Sequence, residues 1–211
     1  MIAENYLINK EYQQALQSYE ALINKKIKDP SIYRRVVATN IVLKRYDKAK
    51  EVSEMILADF TPIPEDFINA GFLKVQENAH DEAIDFYKKA LELNSEHAIA
   101  LNNVGASLSY GFNKHEESLE YFNKAISIDP DLSHAYIGRG YAKIKLGRLD
   151  DGLIDIKHAL QLDDLNSFAH VSLGIYYFEK NELTEAKICF EKAKEIDSDA
   201  YLLNEYLEKV K

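Results

Sequence analysis

The sequence predicts an all-α chain, an α-solenoid of antiparallel helix pairs, and three recurrences carry that expectation. Gly71, Gly105, Gly140 and Gly174 stand 34, 35 and 34 residues apart. Ala15, Ala49, Ala83, Ser118, Gly152 and Ala186 keep the same beat, and Ala90, Ala125, Ala159 and Ala193 follow the last four of these by seven residues. A period of about 34 residues on helical patterning belongs to stacked helix pairs, each of which buries its apolar face against its neighbours. Only 8 Gly and 4 Pro interrupt the 211 residues, which suits continuous helices joined by tight turns.

Taken in order, residues 1–29 hold a partial unit. Ala15 and Tyr19 keep the beat of a second helix, Met1 enters the pattern late, and the helix ahead of them is expected to be short. Residues 30–63 form the first complete unit and depart from the rest, with Val37 where the glycines stand, and Ser53 and Ile56 where an aromatic and an alanine recur. This reads as a large-for-small exchange that conserves volume. In unit 64–97, apolar and small residues recur at helical spacing over 67–74 and again over 82–91, with a polar turn at 78–81. The arrangement returns as 101–110 with 117–128 in unit 98–132, 136–146 with 149–162 in unit 133–166, and 170–178 with 183–196 in unit 167–200. In 201–211, Leu203, Leu207 and Val210 form one stripe, and Glu208 sits where a small residue would meet a following helix, so a capping helix with a polar back is expected.

These positions resemble the tetratricopeptide repeat. Counted in that family's places, the four glycines stand at the eighth, Tyr19, Tyr87, Phe122 and Phe190 at the twenty-fourth, and Asp129-Pro130 supplies a closing proline. The resemblance covers nearly the whole chain and implies a single right-handed superhelical array whose first helices line a concave groove. A glycine costs a helix about 1 kcal/mol against alanine, so close packing where two helices cross must offset its recurrence. Arg139 at the seventh place and Asp155 at the twenty-third fall near enough across their pair for a partly buried ion pair.

The resemblance also implies protein binding, with contacts from groove-lining places of the first helices. Those places hold Arg34 and Arg35, then Ile68, Asn69 and Phe72, then Asn102, Asn103 and Tyr110, then Tyr141, and finally Phe168. The run is basic at the N-terminal end, amide in the middle and aromatic toward the C-terminus. Asn69 and Asn103 share the sixth place in adjacent units, where amides that both donate and accept are placed to bond the backbone of an extended peptide. The family's carboxylate clamp for chaperone tails is not expected, since only Asn69 matches it and Arg34 stands in for a lysine.

Composition narrows the partner. A net charge of −9 and a pI near 5.2 leave no clustered positive field for phosphates, so no nucleic-acid partner is expected. The longest uncharged stretch, 97–113, carries Asn102, Asn103, Ser107 and Ser109 and falls short of the roughly 20 apolar residues of a membrane span, so no membrane insertion is expected. A single cysteine, Cys189, and an N-terminus without a signal pattern point to the cytoplasm. The six histidines fall in different repeat places with no HExxH pattern, and Gly138-Arg139-Gly140 lies within a helical stretch with no strand before it. No metal, cofactor or enzymatic activity is expected. The reading is an interaction module or scaffold, part of a larger protein, that holds a peptide segment in its groove. The alternative is self-assembly through the incomplete N-terminal unit or the array ends, and the oligomeric state follows from which of the two holds.

Overall fold

The computed structural model describes residues 2–24 and 27–210, with side chains from 11–23 and 27–210. Every regular element among the described residues is helical. The chain divides into two compact blocks, 1–95 and 96–211. The first holds α1 (Ile2–Asn24), α2 (Pro30–Val42), α3 (Tyr46–Asp59), α4 (Pro64–Gln76) and α5 (His80–Leu93). The second holds α6 (Ala98–Ala106), which runs into a π-helical turn (Ser107–Gly111), then α7 (His115–Ile128), α8 (Ser133–Lys145), α9 (Leu149–Leu162), α10 (Ser167–Glu179), α11 (Leu183–Ile196) and α12 (Leu203–Lys209). Within the first block α2 packs on α3 and α4 on α5; within the second, α6 packs on α7, α8 on α9 and α10 on α11. Pairs are also stacked on pairs, α3 against α4, α7 against α8 and α9 against α10, while α8 touches both α6 and α10.

The expectation of a short helix and a turn within residues 1–29 is overturned. Ile2–Asn24 is one helix of 23 residues. The segment contains neither proline nor glycine, and the few residues ahead of the turn position are too short to make a packed partner helix, so the helix continues through it.

Inside the pairs, glycine proves to be a seat for a ring. A Cβ built on Gly71 would lie 2.4 Å from the Tyr87 ring, and one on Gly174 would lie 2.4 Å from the Phe190 ring. Gly105 faces Phe122 in the same way at 3.0 Å. Tyr87, Phe122 and Phe190 are among the largest fully buried side chains of the protein. The pair α2/α3 reverses the sizes: Val37 and Ser53 are both buried, together with Ala49 and Ile56. The exchange read from the sequence thus keeps that pair filled.

Two buried carboxylates tie helices together. Asp155 on α9 receives Arg139 Nε at 2.8 Å, Arg139 Nη2 at 2.7 Å and Lys143 Nζ at 2.8 Å, both cations coming from α8. Asp66 on α4 receives Arg34 of α2 through Nε at 2.9 Å and Nη2 at 2.8 Å. Its second task is local, because Asp66 Oδ2 also accepts from the Ile63 amide at 3.0 Å and closes the start of α4 behind Pro64.

Each pair turns through a residue with left-handed backbone: Lys44, Asn78, Asn113, Gly147 and Asn181. Asparagine and glycine bear that region at least cost. In four of the five turns an amide reaches back five residues, as Arg45 to Asn40, Ala79 to Lys74, Arg148 to Lys143 and Glu182 to Tyr177, which is the closure of a Schellman end. In the fifth, Lys114 reaches back six, to Leu108. That turn lies in the one interval of 35 residues between successive glycines. The extra residue is absorbed by the π-helical turn, and the second helix resumes in register.

Candidate functional site

The first-helix face of the first block comes from α2 and α4. Arg34 does not stand free on it: its guanidinium is held by Asp66, and Nη2 also donates to the Thr61 carbonyl at 3.3 Å. Hydrogen bonding to Asp66 pushes the guanidinium still further toward the charged form. Arg35 beside it is exposed. Ile68, Asn69 and Phe72 are half-buried on α4, and the Phe72 ring meets Tyr46 edge-on at 6.0 Å. The available cation at this end is therefore Arg35, next to one amide and one aromatic edge.

In the second block α6, α8 and α10 present the corresponding face. Asn102 is only 8% exposed and donates from Nδ2 to Asn103 Oδ1 at 3.1 Å. Its own Oδ1 is buried with no hydrogen-bond partner. A buried carbonyl left unpaired costs free energy that an incoming N–H would recover. Asn103 is half-buried, and Phe168, at the start of α10, is 39% exposed. The start of α10 is rigid, since Asn166 Oδ1 accepts from the Phe168 and Ala169 amides.

The two tyrosines assigned to this face stand differently. Tyr141 is 6% exposed and its ring lies 4.6 Å from that of Tyr110, which leaves the π-helical turn at the end of α6. Burial pushes both phenols well above their ordinary range, so both remain neutral donors. Tyr201 packs on Tyr110 from the loop after α11. His115, at the start of α7, meets the Tyr141 ring edge-on at 5.8 Å and shares a 2.9 Å hydrogen bond with buried Ser109. Burial holds that imidazole below its usual range. Sequence reasoning missed Asp66, Tyr201 and Tyr206 as neighbours of the site. Asp66 left a trace, an acid 32 residues after Arg34 and so almost one period on.

Cys189 is buried, and burial pushes its thiol up to about 11, which leaves no thiolate near neutral pH. No three His, Cys, Asp or Glu side chains gather as a metal site among the described residues. Within the same residues no helix is long and apolar enough to cross a membrane.

A sequence model of the tetratricopeptide repeat matches residues 67–97, 100–132 and 169–199. These stretches cover α4/α5, α6/α7 and α10/α11, the three pairs in which a glycine seats an aromatic ring. Among solved structures, the Cut9–Hcn1 hetero-tetramer of the APC/C is similar over 97% of this chain at 13% identity and a TM-score of 0.79. This chain spans 40% of the length of that one. A tetratricopeptide repeat protein from Parabacteroides merdae is similar over 95% of this chain and 78% of its own, at 22% identity and a TM-score of 0.76. YrrB, a TPR protein described as having an unusual peptide-binding site, is similar over 92% of this chain and 99% of its own, at 20% identity and a TM-score of 0.57.

Proposed function

The chain belongs to the tetratricopeptide-repeat family, and on that premise we propose that it is an interaction scaffold that holds an extended peptide segment of a partner protein against its first helices. The observation that carries this reading is the buried, unpaired Oδ1 of Asn102 beside the half-buried Asn103. A peptide backbone supplies the missing N–H, and its side chains find Phe168 exposed on the same row of first helices. In the first block the equivalent contacts are Arg35, Ile68, Asn69 and Phe72. YrrB, of the same fold, has a peptide-binding site, which supports the class of ligand and not its identity.

The scaffold works by geometry and performs no chemistry on what it holds. Cytoplasmic residence fits the buried thiol of Cys189, which needs no partner sulfur. The test is a peptide selected from a displayed library against the whole chain, with affinities then measured for variants. Asn103→Ala and Phe168→Ala are expected to weaken binding about 5- to 30-fold, the range of 1–2 kcal/mol that a single anchor contributes. Peptides indifferent to both changes, yet lost on Glu120→Lys or Lys157→Glu in the second helices, would move the site to the opposite face. Light scattering separates the rival role, because a monomer at all concentrations rules out self-assembly.

A further inference from the structure

Part of the first-helix face of the second block already has an occupant, supplied by the chain itself. The Tyr201 ring lies 5.5 Å from that of Tyr110, and its hydroxyl donates to the Tyr110 carbonyl at 3.4 Å. Five residues on, Tyr206 is 4% exposed, with its ring 5.4 Å from Phe178 and 5.7 Å from Phe190. Leu203 between them is fully buried, in one apolar cluster with Tyr141, Ile175 and Phe190. Residues 201–206 therefore cross the C-terminal turns of α6, α8 and α10 as a peptide would, with one aromatic gripping each side and a leucine in the middle.

The seat and the occupant each bear a separate irregularity. The carbonyl that receives Tyr201 belongs to the π-helical turn made by the extra residue, where the regular ladder of α6 is interrupted. The occupant is weakly held by its own backbone. Helix α12 has seven residues, too few to persist without tertiary contacts, and Leu202 before it has φ 64°, a region that L residues other than glycine, asparagine and aspartate seldom enter. Tyr201 remains 45% exposed. Strain and exposure concentrated in one short segment, next to a face otherwise suited to a ligand, describe an exchangeable contact.

We infer that the face formed by Tyr110, Tyr141 and Phe178 is a docking site for a partner peptide of the pattern aromatic-x-Leu-x-x-aromatic, and that residues 201–206 are its built-in competitor. This rests on the reading that the first helices hold a peptide, and it adds what the peptide must look like and what it must displace. An occupied site lowers apparent affinity by the fraction of molecules whose segment has left.

The experiment uses the full chain and a labelled synthetic peptide copying residues 199–210, followed by fluorescence anisotropy. Wild type is expected to bind it weakly, whereas Leu203→Ala and Tyr206→Ala, which loosen the resident segment, should bind it at least tenfold more tightly. A control peptide with both tyrosines replaced by alanine should not bind either variant. If the buried substitutions lower the helical signal, Tyr201→Ala, at an exposed position, carries the comparison and should bind at least threefold more tightly than wild type. Equal affinity of wild type and folded variants overturns the competitor while leaving peptide binding intact. No binding to any folded variant overturns the site itself, and the library-selected peptide on Asn103 and Phe168 then decides separately whether the first helices bind peptide at all.

Discussion

Gly140 and Gly152 meet across the α8/α9 crossing with nothing between their backbones: a Cβ on Gly140 would lie 2.9 Å from the Gly152 carbonyl oxygen, and a Cβ on Gly152 2.7 Å from that of Gly140. Here two main chains touch, whereas in the neighbouring pairs a glycine receives an aromatic ring. A ring on a flexible side chain can turn aside, but a helix backbone can yield only by moving the whole helix. Gly140→Leu is therefore expected to cost at least about 1–3 kcal/mol, against under about 0.5 kcal/mol for exposed Lys88→Leu. Urea unfolding followed by circular dichroism measures both, and equal midpoints would contradict the close crossing.

The same pair holds the Asp155 carboxylate, 3% exposed, between Arg139 and Lys143. Removing the anion leaves two cations facing a buried site, so Asp155→Leu is expected to cost about 3–5 kcal/mol. Replacing Arg139 and Asp155 together by leucine should cost less than the sum of the single changes. A double-mutant cycle reads that coupling directly, and strict additivity would mean the pair contributes nothing.

How much of this was legible depends on what repeats. The helix pairs follow from small residues on a fixed beat, and the Arg139–Asp155 contact follows because both partners lie in one pair at places that the pattern brings together. The Arg34–Asp66 contact joins two successive pairs, so it cannot be read from either alone. The π-helical turn left its mark as an interval of 35 residues instead of 34, but the count does not say whether a loop or a helix takes the extra residue. Tyr201 and Tyr206 lie beyond the last complete repeat, where periodicity says nothing about which face they meet. The turn expected within residues 1–29 failed for a related reason, since the beat of Ala15 and Tyr19 is also that of a single helix.

Arg34 changes role in consequence. The sequence places it as a cation for an acidic ligand, yet its fork is bound to Asp66, whose carboxylate also caps α4. Arg34→Glu should therefore lower the stability of the first block by about 2 kcal/mol, the scale of a charge-assisted hydrogen bond. Arg35→Glu, at an exposed site, should leave stability unchanged while reducing affinity for acidic peptides in a salt-dependent way. Thermal unfolding and titration at two ionic strengths separate the two residues.

Tyr141 and Phe168 divide likewise. Tyr141 lies in the core of the second block, so Tyr141→Ala should cost about 3 kcal/mol or more, and any loss of binding would be confounded by loss of structure. Phe168, 39% exposed, should tolerate alanine within about 1 kcal/mol. A Phe168→Ala protein with near-native melting and weakened peptide binding is the expected result, and a large drop in melting temperature would place that ring in the core.

Cys189 provides the pH test. Its thiol is 9% exposed, and burial raises it to about 11, from about 8.5 in an unfolded chain. A raised acid favours the folded state while the unfolded thiol is still protonated. That contribution is fully present below about pH 8.5; it is lost as the pH rises toward the folded value of about 11. Between these limits unfolding releases a proton, so stability should decline more steeply with pH in wild type than in Cys189→Ala, and the two curves should run parallel below pH 8. Neighbouring Glu185 adds to the rise by opposing a thiolate, so Glu185→Gln should shift the onset of the decline slightly upward less than Cys189→Ala flattens it. Iodoacetamide should label the folded thiol at pH 7.5 at least tenfold more slowly than the thiol in urea. Labelling at the unfolded rate would show that Cys189 is open to solvent and that the tight seating of Phe190 beside it does not hold.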